Sequence, residues 1–195
     1  MARTKTFDET SATRLARETF HDHGYAATSV QQLTAATGLS RSSLYDTFGD
    51  KHGLFLRSFA QYCDDNADHI EGELAGDAGG ARQRLERHLR TKMDGPSSQR
   101  GCLLAKATAE LGSTDDDVAQ TSTEFYARYE RALTACVRDA QAAGDVRDDL
   151  DAVTIAAMLL SLLRGIETLN RAGHPTASLA AAVDTTMAML AGPTA

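Results

Sequence analysis

Arg41, Ser42, Ser43 and Tyr45 stand together in the stretch GLSRSSLYDTF, with Asp46 and Thr47 directly after them. On the outer side of a short helix, a guanidinium and neighbouring hydroxyls reach base edges and phosphates in a DNA major groove. A second chemistry-bearing residue is Cys102, placed where a short helix begins in GCLLAKATAEL. Free N–H groups and the dipole at a helix start stabilise a thiolate, and Lys106, one turn on, adds to that. The competing reading makes Cys102 a small buried hydrophobe. The six histidines are scattered; His21 and His23, two apart on a helix, point to different faces, so no metal site is expected.

The elements that position the first group follow from caps and breakers. Ser29 caps a helix with Gln32 as its capping-box partner, and Gly38 ends it. Ser40 caps the next helix, Gly49 stops it, and Asp50 caps a third that Lys51 opens. Val30, Leu33, Ala36, Leu39, Leu44 and Phe48 recur at three-and-four spacing, which lets two short helices share one small core. This is helix-turn-helix geometry, with Arg41, Ser42, Ser43, Asp46 and Thr47 read as exposed. Ahead of it, 8–23 reads as a helix with Ala12, Leu15, Ala16 and Phe20 inward and Gly24 as its stop.

The residues are more particular than a generic helix pair. Phe20, Gly24, Tyr25, Thr28, Ser29 and Val30, then Thr37-Gly38-Leu39-Ser40-Arg41, then Ser43, Leu44, Tyr45, Phe48, Gly49, Lys51, Leu54 and Phe55 closely resemble the TetR family of transcriptional regulators. Asp46 stands where that family commonly has His or Tyr. The resemblance implies that Arg41, Ser42, Ser43, Tyr45 and Thr47 touch bases or adjoining phosphates, while Thr28, Ser29 and Lys51 hold the DNA backbone. It also implies that the helix opened by Lys51 bridges two domains and sets the spacing of two reading heads.

Beyond residue 57 the chain reads as further helices. Phe59 and Tyr62 continue the bridging helix toward residue 72, and a glycine-rich loop spans 72–80. The helix over 81–93 carries Leu85, His88, Leu89 and Met93 inward, with Arg82, Arg84, Arg87 and Arg90 around them as a solvated face. A loop over 94–99 precedes Cys102 and Leu103. Thr114 caps a long helix that starts with Asp115, Asp116 and Asp117 and ends before Gly144. Phe125, Tyr126 and Tyr129 lie on its inner face, where the tyrosine hydroxyls need partners, from a bound amphipathic molecule or from the core itself. A strongly apolar helix over 150–172 and a last helix after Pro175, with Leu179, Val183, Met187 and Leu190 on one stripe, complete the chain.

Composition agrees. The net charge is -7, yet residues 1–57 hold seven Lys or Arg against six acids, so the excess acid lies outside the reading head. Three widely spaced cysteines fit free thiols in a reducing compartment. The N-terminus has no apolar run, and the segment 153–163 is too short to span a bilayer, so a cytoplasmic protein without a membrane partner is expected.

The expected architecture is all-α: a three-helix DNA-binding domain over residues 1–53 and a larger helical sensing and dimerisation domain over 54–195. The resemblance implies a repressor that binds a near-palindromic operator as a homodimer through 150–192 and leaves it when a small-molecule effector binds. Candidate effector contacts are Phe59, Tyr62, Leu85, His88, Met93, Cys102, Leu103, Phe125, Tyr126 and Tyr129. The alternative is a redox or electrophile sensor switched through Cys102. An enzyme pairing Cys102 with a histidine such as His88 would leave the DNA-reading motif without a purpose, so no catalysis and no cofactor are expected.

Overall fold

The computed structural model describes residues 8–91, 93 and 101–192. The loop expected over 94–99, and the arm carrying Arg3 and Lys5, lie outside them. Among the described residues there are nine α-helices and no strand: α1 (Glu9–His23), α2 (Val30–Thr37), α3 (Arg41–Phe48), α4 (Lys51–Leu74), α5 (Ala81–Thr91), α6 (Leu103–Leu111), α7 (Asp116–Ala142), α8 (Ala152–Arg171) and α9 (Thr176–Met189). The only extended pairing among them is a single bridge between Val146 and Ala191. The all-α expectation holds.

Local chemistry sets most helix ends. Asp8 caps α1 by accepting from the Thr10 and Ser11 amides, both at 3.1 Å, and from the Ser11 hydroxyl at 2.6 Å. Those bonds, the Ser11 hydroxyl first, hold its carboxyl below the usual range. The capping box of α2 forms as read, with the Gln32 amide donating to Ser29 Oγ (3.2 Å) and the Ser29 amide to Gln32 Oε1 (2.8 Å). Gly38 ends α2 at φ 71°, a left-handed turn that costs any side chain. The head of α7 differs from expectation. Thr114 Oγ1 donates back to the Leu111 carbonyl, and Asp115 is the residue whose side chain accepts from the Val118 amide (3.2 Å). A carboxylate outcompetes a hydroxyl for that place because its charge also complements the helix dipole.

The chain divides into two compact units. One comprises the described part of Met1–Asp65 with Cys102–Thr123, so it contains α1–α3, the first part of α4, α6 and the head of α7. Its centre is an aromatic cluster: Phe55 lies 5.1 Å from Phe20, 4.8 Å from Tyr25 and 5.7 Å from Phe59 between ring centroids. Leu33, Leu44 and Leu54 are fully buried in the same unit. Two apolar positions differ from expectation, Ala36 and Leu15, which are exposed.

The other unit comprises the described parts of Asn66–Gly101 and Glu124–Ala195. Leu85, Leu89, Tyr129, Leu133, Leu159, Leu163 and Val183 form its core. Of the α5 arginines expected to be solvated, Arg87 is exposed, whereas Arg82, Arg84 and Arg90 tie this unit together. Arg82 donates to the Asp145 carbonyl (2.9 Å) and the Met187 carbonyl (3.2 Å). Arg84 is buried and donates to the Leu74 (3.0 Å) and Asp77 (2.7 Å) carbonyls, and Arg90 pairs with Glu86 and Asp184. A guanidinium's fan of donors suits carbonyls left over at helix ends, which sequence spacing cannot reveal. By length and composition α8, with 20 residues, is apolar enough to cross a membrane, more than the segment 153–163 suggests. Its stripe of Ile155, Ala156, Leu159, Leu163 and Ile166 is buried in this unit, while Val153, Met158 and Leu169 on its other side are exposed.

Candidate nucleic-acid interface

The candidate reading helix α3 is short, and its sidedness follows from helical arithmetic. Leu44, Thr47 and Phe48 are buried, at the three-and-four spacing of an inner stripe. Arg41, Ser42, Tyr45 and Asp46 are exposed, at i, i+1, i+4 and i+5, and Ser43 is half-buried at the margin. Tyr45 keeps 39% of its surface open, unusual for a ring with a core so near. The Arg41 guanidinium rests 5.9 Å from the Tyr45 ring centroid, so cation and ring support one another on the open face. Ser40 Oγ lies 3.0 Å from Ser42 Oγ and 2.8 Å from Ser43 Oγ, a hydroxyl cluster at the start of the helix.

Two residues read as surface contacts turn inward. Thr47 is only 9% exposed, and its hydroxyl is buried without a hydrogen-bond partner, on the side of α3 away from the open face. Its spacing from Leu44 already put it on the inner stripe. Thr47→Val should therefore leave DNA affinity unchanged and raise stability by about 1 kcal/mol in a urea melt, since a buried hydroxyl without a partner costs roughly that. Thr28 is 1% exposed, and its Oγ1 donates to the Gly24 carbonyl at 2.6 Å, which makes it a lock on the α1–α2 corner. Ser29 is exposed and its hydroxyl serves the capping box.

Lys51, at the start of α4, is half-buried with Nζ 4.3 Å from the Tyr25 ring centroid. The ring holds the ammonium in place at small entropic cost, a partner that the Gly24-Tyr25 pair in the sequence could have suggested. Burial, then the charges of Asp50 and Asp115, push the Tyr25 phenol up, so it stays a neutral ring beneath that cation.

The candidate effector residues divide between the units. Phe59, Tyr62, Cys102 and Leu103 belong to the first; Leu85, His88, Met93, Phe125, Tyr126 and Tyr129 belong to the second. In the second unit, His88 Nδ1 lies 2.8 Å from Glu73 Oε2 and Nε2 lies 2.6 Å from the Tyr129 hydroxyl. A carboxylate only accepts, so Nδ1 donates to Glu73, while Nε2 and the Tyr129 hydroxyl share the second hydrogen bond. Burial pushes the Tyr129 phenol well up, keeping it a donor. The inward tyrosine thus finds its partner within the core. The Arg164 guanidinium, paired with Glu167 at 2.9 Å, lies 5.5 Å from the Tyr129 ring centroid and 6.0 Å from that of Tyr126, a neighbour sequence spacing did not indicate.

In the first unit, Cys102 precedes α6 with its thiol half-buried, and the Tyr62 hydroxyl donates to its Sγ at 3.6 Å. Lys106, expected to favour the thiolate, extends its ammonium to the His21 carbonyl at 2.5 Å instead. Cys63 is buried; burial first and then the neighbouring Cys102 push its thiol up to about 12, which makes it a poor nucleophile. These surroundings do not favour the redox alternative.

Residues 13–57 match the family model described as bacterial regulatory proteins, tetR family, and residues 79–186 match the model described as tetracyclin repressor-like, C-terminal domain. Among curated proteins, the HTH-type transcriptional repressor ComR of Escherichia coli is 29% identical over 191 residues, covering 95% of this chain and 90% of that protein. A TetR family transcriptional regulator from Cytophaga hutchinsonii superposes with a TM-score of 0.82 at 19% identity, covering 95% of this chain and 96% of that one. A cysteine mutant of the TetR family regulator CifR, solved in complex with 26 bp double-strand operator DNA, superposes with a TM-score of 0.76 at 26% identity, covering 97% and 100% of the two chains.

Proposed function

Since the chain belongs to the TetR family of bacterial transcriptional regulators, we propose that it is a repressor that reads a near-palindromic operator as a homodimer and releases it when a small effector binds. The observation that carries the reading is the open face of α3, where Arg41, Ser42 and Tyr45 project together while Leu44 and Phe48 anchor the helix beneath them. Arg41 and Tyr45 approach base edges, Ser42 and Ser43 reach bases or phosphates, and Ser29 and Lys51 hold the backbone on either side. A two-fold dimer sets two such faces about one DNA turn apart.

The homodimer is proposed through residues 150–192. Its support is the outer face of α8, where Val153, Met158 and Leu169 remain exposed beside the small residues Ala157, Ser161 and Gly165 that let a second helix approach closely. Met189 adds a further exposed apolar side chain at the end of α9. The effector is proposed to bind in the second unit around His88, Phe125, Tyr126 and Tyr129, and to act by preferring the form that does not fit DNA.

The test is a footprint on DNA fragments flanking this protein's own coding region, repeated with two variants. Arg41→Ala should weaken the specific site by about 1–3 kcal/mol and relax preference at the bases it reads. Lys51→Ala should weaken all sequences alike and lower the slope of log affinity against log salt by about one. If both variants bind as the wild type does, α3 and the head of α4 are not the interface.

A further inference from the structure

We propose that Glu110 is a positioning residue for operator binding, a latch that fixes the attitude of α2 and α3 without touching DNA. The inference rests on the reading that α3 contacts DNA. Lys106 and Glu110 stand four apart on α6 and therefore share one face. That face meets the end of α1. Lys106 Nζ donates to the His21 carbonyl (2.5 Å), one of the acceptors that the last turn of a helix leaves over. Glu110 Oε2 accepts from the backbone amides of Tyr25 (2.8 Å) and Ala26 (3.1 Å). The cation thus meets a carbonyl and the anion meets two N–H groups, so each charge finds the matching end of the backbone.

Gly24 shows how closely the corner is built around that carboxylate. Its φ of 79° lies in the left-handed region, and a Cβ there would come within 2.2 Å of Glu110 Oε1. The conformation favours glycine, and a side chain there would push the Glu110 carboxylate from its place. A third contact lies just past α6, where Asp115 Oδ2 is 3.2 Å from His52 Nε2 in the first turn of α4. The segment 27–51, which carries α2 and α3, is therefore pinned at both of its chain ends: by Glu110 at residues 25 and 26, and by Asp115 at residue 52. A negative charge gains nothing from phosphate, so the role of Glu110 on the DNA-bearing unit is to hold the corner.

The experiment compares wild type, Glu110→Ala and Glu110→Gln on the footprinted duplex across a salt series. Glu110→Ala is expected to lose about tenfold in operator affinity with an unchanged salt slope, because no phosphate contact is removed. Glu110→Gln keeps an oxygen that accepts both amides and is expected to stay within about threefold of wild type. If Glu110 acted only through its charge, both variants would bind more tightly than wild type, since both remove a repulsion; that result, or equal affinity in all three, overturns the latch. If Glu110→Ala does not fold, amide exchange in the wild type decides: Tyr25 and Ala26 should become more protected on operator binding, and protection indifferent to DNA overturns the proposal. A wild type that binds no operator fails the DNA reading itself, an outcome distinct from wild-type binding matched by Glu110→Ala.

Discussion

Met158→Arg is expected to turn the proposed homodimer into monomers and to lower operator affinity at least about a hundredfold, because joining two half-site contacts multiplies affinity by roughly 10²–10⁴. Met158 is 45% exposed on the outer face of α8, so a charge there is tolerated by a lone chain and rejected by an apolar interface. Position 183 looks equally apt from the sequence, since it lies on the stripe of α9. Val183, however, is 0% exposed within the protomer, and an arginine there would unfold the chain before it tested any interface. Sedimentation equilibrium and gel shifts on full and half operators measure the effect. A Met158→Arg protein that remains a dimer with wild-type affinity would place the interface elsewhere.

The second large effect is on folding. Phe55 is 1% exposed and sits among Phe20, Tyr25 and Phe59, so Phe55→Ala removes the ring around which the first unit packs. The expected cost is about 3–5 kcal/mol, a large share of the 5–15 kcal/mol typical of whole domains. Phe55→Leu, closer in volume, should cost well below that. Urea melts followed by helical signal give both numbers, and DNA binding should fail together with the fold in the alanine variant. A loss under about 1 kcal/mol would mean that the cluster closes over the gap.

Helix ends such as those of α2 and α3 were legible because they are settled within a few residues: Ser29 with Gln32, Ser40 with Ser43. The inner and outer sides of α3 were also legible, and Thr47 was misjudged only because its polarity was weighed above its spacing from Leu44. Other features are tertiary and leave no local trace. Tyr129 meets His88 across 41 positions, Arg82 reaches the Met187 carbonyl across 105, and Glu110 closes on a corner 84 and 85 positions away. Such partners depend on how helices pack, and the same polar residue on the same stripe would read identically with or without them.

Asp46 lies exposed beside Tyr45 on the proposed reading face. Next to a polyanion its carboxylate is a penalty at every position along the duplex except where it can accept from a base edge such as the amino group of cytosine. The penalty falls hardest on chance encounters, which rest almost wholly on phosphate attraction. If α3 reads DNA as proposed, this face shortens residence on non-specific duplex relative to a neutral residue at position 46.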